Sequence, residues 1–583
     1  MSSDSPESSQ GKSGSRAAVE LVIFSIVTLA AMFFEFGQTL DSYFTSDDLV
    51  LVKYVYGIFN GDPLLFFRLF TTVWVPDSTQ EIFYRPLVEA SYALDFFFSR
   101  TNPLGYHISN LLYSFGAALA LVSIGRSLAE RFDLDNARWI AYASGLFFAL
   151  SPLHTEVTSW IVGRVDGLCT MFYLISFALF LKISGTGEKF AVLKSGAGRL
   201  SLAAFLLALL SKEMAFTLPP SLFLVSVFSS HSGELRKKID MAFRDTLPYL
   251  LVLLLFLPLR AMAIGTFVGG YVGALGEAMQ KPLGESLMKL THLVKAVYPY
   301  NGELISSDSA VAAAFHVLYG LAVLYVLLRF WLNGFGKKHV KLLCFLLCWL
   351  VLQYLPLLQV FRLSDALAGA RLFYLSTAIL SLMLAIFLVP AKSANRAHTG
   401  KYFQISGGAL VFSLALLFSV TGRINNGAWI LAGTHTRELQ QQVKAAVAQL
   451  PGNQQLLIAY LPSQIFGAFL FNRYYVLEAL LSPPFLEPGI AGRVSLLEPR
   501  FYISNMTIPS GILRRRLAEG EKYRTVFWNV DTFKLVELES LSPEYSEFAQ
   551  AKEGNLPGLC VDTGQGLENI RLKSARPVKP GEV

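Results

Sequence analysis

The chain has 583 residues, 53% of them hydrophobic and 16% charged, with a mean hydropathy of +0.47. That composition excludes an ordinary soluble domain and marks a polytopic membrane protein. The net charge of +7 calls for no nucleic-acid partner, because the basic residues collect in one set of loops. Four cysteines give no disulfide framework. Cys344 and Cys348 lie on one helix face without a His or carboxylate nearby in sequence and read as packing residues, while Cys560 stands alone.

Residues 1–17 are polar and read as a disordered cytoplasmic tail. The apolar run behind them carries no small-residue cleavage site and reads as a retained first span. A span needs about 20 residues. Runs of that kind fall near 18–38, 107–127, 137–153, 165–184, 198–212, 214–230, 245–264, 311–330, 340–358, 372–390 and 403–421, about eleven in all. Lys12 and Arg16, Arg126 to Arg138, Lys182 to Arg199, Arg236 to Arg244, Lys337 to Lys341, and Lys392 to Lys401 then share one side. Basic loops face the cytoplasm, so the N-terminus is expected inside. The membrane is read as a bacterial inner or plasma membrane. Loops 39–106, 153–164, 211–213, 265–310 and 358–371 are expected outside.

Loop 39–106 is rich in aromatics, and Leu49–Phe59 and Leu64–Trp74 read as helices lying on the membrane surface. Val88–Phe98 reads as a further apolar helix. From 425 onward alternation replaces long apolar runs. Helices are expected over Thr436–Leu450 and Gln464–Leu481, a buried strand over Leu456–Leu461, and a hairpin around Asp531. The domains expected are thus the tail, a transmembrane unit over 18–424, and an extracytoplasmic α/β domain over 425–583. Asn505-Met506-Thr507 matches a glycosylation sequon.

Polar groups gather at the outer ends of the spans. Ser46-Asp47-Asp48 follows the first span; it can cap the helix after it, or offer a carboxylate as a general base. The run from Ser151 to Leu168 holds His154, Glu156, Arg164 and Asp166. Tyr84-Arg85-Pro86, His107 with Asn110, Ser211-Lys212-Glu213, and Arg371 with Tyr374 complete the set. Singly, such residues usually snorkel, cap or pair. Five groups on one face, beside the acidic pair, point to chemistry.

The combination resembles the membrane half of the polytopic GT-C glycosyltransferases, nearest to the transmembrane and tetratricopeptide-repeat O-mannosyltransferases and their bacterial relatives. The residues that carry the resemblance are Asp47-Asp48, His154-Thr155-Glu156 with Gly163-Arg164 and Asp166, Ser211-Lys212-Glu213, and Arg371 with Tyr374-Leu375. The Tyr-Arg-Pro segment is also similar to a loop of the lipid A aminoarabinose transferases. No helical repeat follows residue 425, which leaves the acceptor open. The resemblance implies an all-α GT-C-like bundle with a small C-terminal α/β domain. It implies an inverting transfer of mannose or a similar sugar from a polyprenyl-phosphate carrier to a hydroxyl of a protein, lipid or glycan, at the outer face of the bilayer. Asp48 is then the expected base, with Asp47 the other candidate. Arg85, Arg164, Lys212 and Arg371 would meet the lipid phosphate, and His154, Glu156, His107, Asp166, Glu213 and Tyr374 would shape the sugar and acceptor site. Asp, Glu and His could hold a divalent ion, but the resemblance implies no cofactor. The alternatives are a transporter of lipid-linked sugars and a non-catalytic envelope scaffold.

Overall fold

The computed structural model describes residues 7–61, 63–74, 81–184, 191–230, 234–265, 270–271, 293–333, 336–357, 363–390, 397–458, 461–471, 473–496, 508–509, 522–529, 532–537 and 561–562. The sequon at Asn505, the hairpin tip Asp531, Cys560 and most of loop 265–310 lie outside these residues.

Each of the eleven expected spans coincides with a helix. Among the described residues, seven helices are long and apolar enough to cross a membrane: Arg16–Thr39, Pro103–Arg131, Ile161–Ile183, Leu235–Ile264, Ala310–Leu332, Ala370–Leu388 and Lys401–Ala448. Gly196–Leu209 and Glu213–Ser229 are apolar but shorter. Ala137–Ala149 has 13 residues, and so rises only about 20 Å. Leu255, Met262 and Trp331 are 78–83% exposed, as apolar residues on a lipid-facing surface are.

The outer loop departs from expectation in one part. Asp47–Asn60 and Pro86–Ser99 are helices as read, the second opened by its proline. The helix expected over Leu64–Trp74 stops after Leu65–Arg68. The hydroxyls of Thr71 and Thr72 take the Arg68 carbonyl, at 3.3 and 2.8 Å, in competition with the helix ladder. The Trp74 amide then turns to the Phe83 carbonyl.

The helix Gly427–Ala448 follows the last span across Asn426. It leads into a four-stranded sheet ordered Val494–Leu496, Gln455–Ile458, Tyr523–Asn529, Lys534–Glu537. The first three strands are parallel and the last pair is the antiparallel hairpin expected there. The helix expected over Gln464–Leu481 is a correction. Gln464–Ile465 and Ala468–Phe469 pair as a tight hairpin, and only Tyr474–Leu480 is helical. Phe466 and Gly467 have φ of +45° and +83°; two successive left-handed residues make a hairpin turn and cannot continue a helix.

Residue 425 is not a packing boundary. Val52, Val55, Tyr92, Trp160 and Leu168 share one apolar core with Trp429, Leu439, Leu477 and Trp528. The acidic loop therefore rests on the C-terminal region.

Candidate active site

The helix after the first span begins at Asp47, behind Ser46, whose φ is +51° and whose side chain forms no cap. Asp48 makes the local bond instead, accepting from the Thr45 amide at 3.1 Å. Its other oxygen accepts from the Val162 amide at 2.7 Å and from the Tyr92 hydroxyl at 3.1 Å. Burial pushes the Asp48 carboxyl up to about 7, against the pull of those three donors and with a push from the charge of Asp47. Asp48 is 1% exposed, and its lone pairs are directed at protein donors. Asp47, beside it, is half-buried. Of the two carboxylates, both candidates in the sequence reading, Asp47 is the less buried.

The run from Ser151 to Leu168 is the hub of the site. It folds as three short turns, Pro152–His154, Thr155–Thr158 and Ile161–Gly163, before the span helix starts at Arg164. Gly163 is needed there, since a Cβ would sit 2.3 Å from the Glu156 carbonyl oxygen. The Asn110 amide nitrogen faces the carbonyls of Val157, Trp160 and Ile161 at 3.1–3.3 Å and holds the turns together. His154 points inward: Nε2 lies 2.7 Å from the Thr377 hydroxyl, and the ring sits between Phe148 and Tyr374. Burial lowers its pKa to about 3, so the ring is neutral. Tyr374 donates to the Ser114 hydroxyl, and His107 Nε2 meets the Ser42 carbonyl. All three side chains are buried: His154 and Tyr374 pack behind the turns, and His107 ties the second span to the loop after the first.

Glu156 is buried and accepts from the Arg371 amide at 2.9 Å, with the guanidinium 3.6 Å away. Burial raises its pKa against the pull of Arg371. The Arg371 guanidinium lies 4.9 Å above the Trp160 ring, with a quarter of its side chain exposed. Arg85 meets Glu213 at 3.3 Å and lies 3.9 Å over the Phe83 ring. Arg260 approaches the same carboxylate at 3.8 Å. Lys212 pairs with Asp166.

Arg164, expected to meet the phosphate, has its donors engaged by protein groups. It is fully buried, and its donors go to Asp95 at 2.5 Å, to the Ser91 hydroxyl, and to the carbonyls of Ile161 and Tyr106. A buried guanidinium requires such a partner set. Its charge lies 4.4 Å over the ring of Tyr92, the residue that donates to Asp48. Arg164 thus supports the acidic pair from behind. Sequence reasoning missed Arg260, Asp95 and Tyr92. Arg260 carried a signal: an arginine inside the last turns of an apolar span is costly without a purpose. Among the described residues, no three His, Cys, Asp or Glu side chains gather as a metal would need.

No family model matches the chain. The protein O-mannosyl-transferase F38B6.6 of Caenorhabditis elegans is 34% identical over 139 residues, 23% of this chain and 20% of that protein. TMTC1 of Mus musculus, another protein O-mannosyl-transferase, is 30% identical over 145 residues, 24% of this chain and 15% of that protein. The matches thus span a fifth or less of the length of these relatives. Among solved structures, ArnT from Cupriavidus metallidurans in the apo state superposes with a TM-score of 0.41 at 12% identity, over 93% of this chain and 96% of that one. An Archaeoglobus fulgidus oligosaccharyltransferase gives 0.40 at 11%, over 75% and 62%.

Proposed function

We propose that this chain is an integral-membrane glycosyltransferase that moves a sugar, mannose or a similar hexose, from a polyprenyl-phosphate carrier to a hydroxyl acceptor at the outer face of the membrane. The observation that carries the reading is one contiguous network at the span ends, in which the turns from Ser151 to Arg164 connect the acidic pair to a set of cations. Val162 binds Asp48, Glu156 binds Arg371, and Asp166 binds Lys212. The similarity to protein O-mannosyl-transferases over about a quarter of the chain points to the same chemistry.

Asp47 is the base in this reading, at the start of the helix that Asp48 anchors to Thr45, Val162 and Tyr92. Its carboxylate takes the proton of the acceptor hydroxyl. The acceptor oxygen forms a bond to the anomeric carbon as the bond from that carbon to the phosphate oxygen breaks, with inversion. The electron pair leaves on the polyprenyl phosphate, whose growing charge is met by Arg85, Arg260, Arg371 and Lys212. The proton stays on Asp47 until water removes it. Purified protein in liposomes, given labelled polyprenyl-phosphate sugars, should move label from lipid to acceptor or water. Movement of intact lipid-linked sugar across the bilayer, with no cleavage, would replace this reading with a transporter.

A further inference from the structure

The tight hairpin Gln464–Phe469 belongs to the C-terminal region, yet it is built into the outer face of the bundle. Its turn is seated by fit and by hydrogen bonds. Gly467 lies so close to the loop before Arg371 that a Cβ would fall 2.2 Å from the Ala366 carbonyl oxygen. The Asn301 amide donates to the carbonyls of Phe466 at 2.8 Å and Ala366 at 3.2 Å, so one side chain ties hairpin and loop together. Asn301 is itself held through its backbone N–H by Asn425, which reaches the Pro152 carbonyl in the turn before His154. The last residue of the hairpin, Phe469, packs its ring 5.1 Å from that of Trp160. The Arg371 guanidinium lies over both rings, 5.7 Å from Phe469 and 4.9 Å from Trp160. Trp160 stacks on its other side with Trp429 at 5.5 Å, and its indole N–H is 3.4 Å from the Thr45 carbonyl, three residues before Asp48.

We propose that this hairpin is a positioning element of the site: Phe469 and Trp160 form an aromatic seat that fixes the Arg371 guanidinium, so the C-terminal region sets how the donor phosphate is held. A cation over two ring faces is oriented as well as attracted. The role in donor capture rests on the transferase reading; the bracing of Arg371 does not.

The test uses the full-length protein and two readouts. Phe469→Ala and Gly467→Val should raise amide hydrogen exchange over residues 370–376 and 159–163; Phe469→Ala should keep its melting temperature close to wild type, while Gly467→Val, at a left-handed residue with no room for a Cβ, should lower it. In the transfer assay both should raise the donor KM about five- to tenfold, as expected from losing one to two cation–ring contacts, with kcat within about twofold. Phe469→Tyr keeps a ring and should restore both readouts. Unchanged exchange at 370–376 in both variants would overturn the bracing, whatever the activity. Raised exchange with a fall in kcat and an unmoved KM would overturn the role in donor capture. Raised exchange in a protein whose wild type transfers no sugar would support the brace and reject the transferase.

Discussion

Asp48 and Asp47 are neighbours in sequence with different work, and the difference is one of solvation. Asp48 is held at about 7 in the folded protein, against its ordinary 3.8. The folded state therefore binds a proton that the unfolded chain has released. Its contribution to stability is full below about 4, falls as pH rises toward about 7, and is level above that. Asp48→Asn should remove that slope, which melting curves of both proteins across pH 4 to 8 would show; equal slopes would mean the group does not titrate as described. A similar division separates the arginines. Arg164→Leu leaves Asp95 buried without its partner, and should cost about 3–5 kcal/mol of stability, measured by denaturant unfolding. Arg260→Gln, at a buried side chain whose partner Glu213 keeps Arg85, should lower stability by less than Arg164→Leu and raise the donor KM. The sequence reading singled out Asp47, Asp48 and Arg164 without their surroundings, and it passed over Arg260 and Asp95. One Arg in an outer-end motif looks like another until Asp95 and Tyr92 are seen behind it.

The decisive element is the stretch from Ser151 to Arg164, which the sequence marked by its density of polar residues without disclosing its shape. It is three short turns, because Pro152 opens one, Gly163 permits a backbone contact that closes another, and Asn110 gathers the carbonyls. Gly163→Ala forces its Cβ into the Glu156 carbonyl and should cost about 2 kcal/mol or more. The displaced turns should also weaken transfer, because Glu156 holds Arg371. A variant with unaltered melting and unaltered transfer would contradict the packing drawn here. Periodicity read the long apolar helices well, since their signal is spread over twenty residues. It failed at Leu64–Trp74 and Gln464–Leu481, where the outcome depends on two threonine hydroxyls in one case and two left-handed residues in the other.

At the scale of the molecule, membrane bundle and C-terminal region share a core, so neither is expected to stand alone. Truncation after residue 425 would expose Val52, Val55, Tyr92 and Trp160, each worth about 1.5–3 kcal/mol when buried. The outer loop 43–60 of such a truncation should be cut rapidly by protease, while in the full chain it resists. The sequence reading placed a small α/β domain after 425 from the change in composition; composition does not report which surfaces meet, and the shared core shows that the two regions do. The account as a whole stands on an outer-face transfer with Asp47 as base. The most direct measurement is the release of sugar label from polyprenyl phosphate by wild type, Asp47→Asn and Asp48→Asn side by side. Asp47→Asn should lose about 10²- to 10⁴-fold in rate with its melting temperature kept, and Asp48→Asn should lose both rate and stability. A full rate in Asp47→Asn would contradict the account.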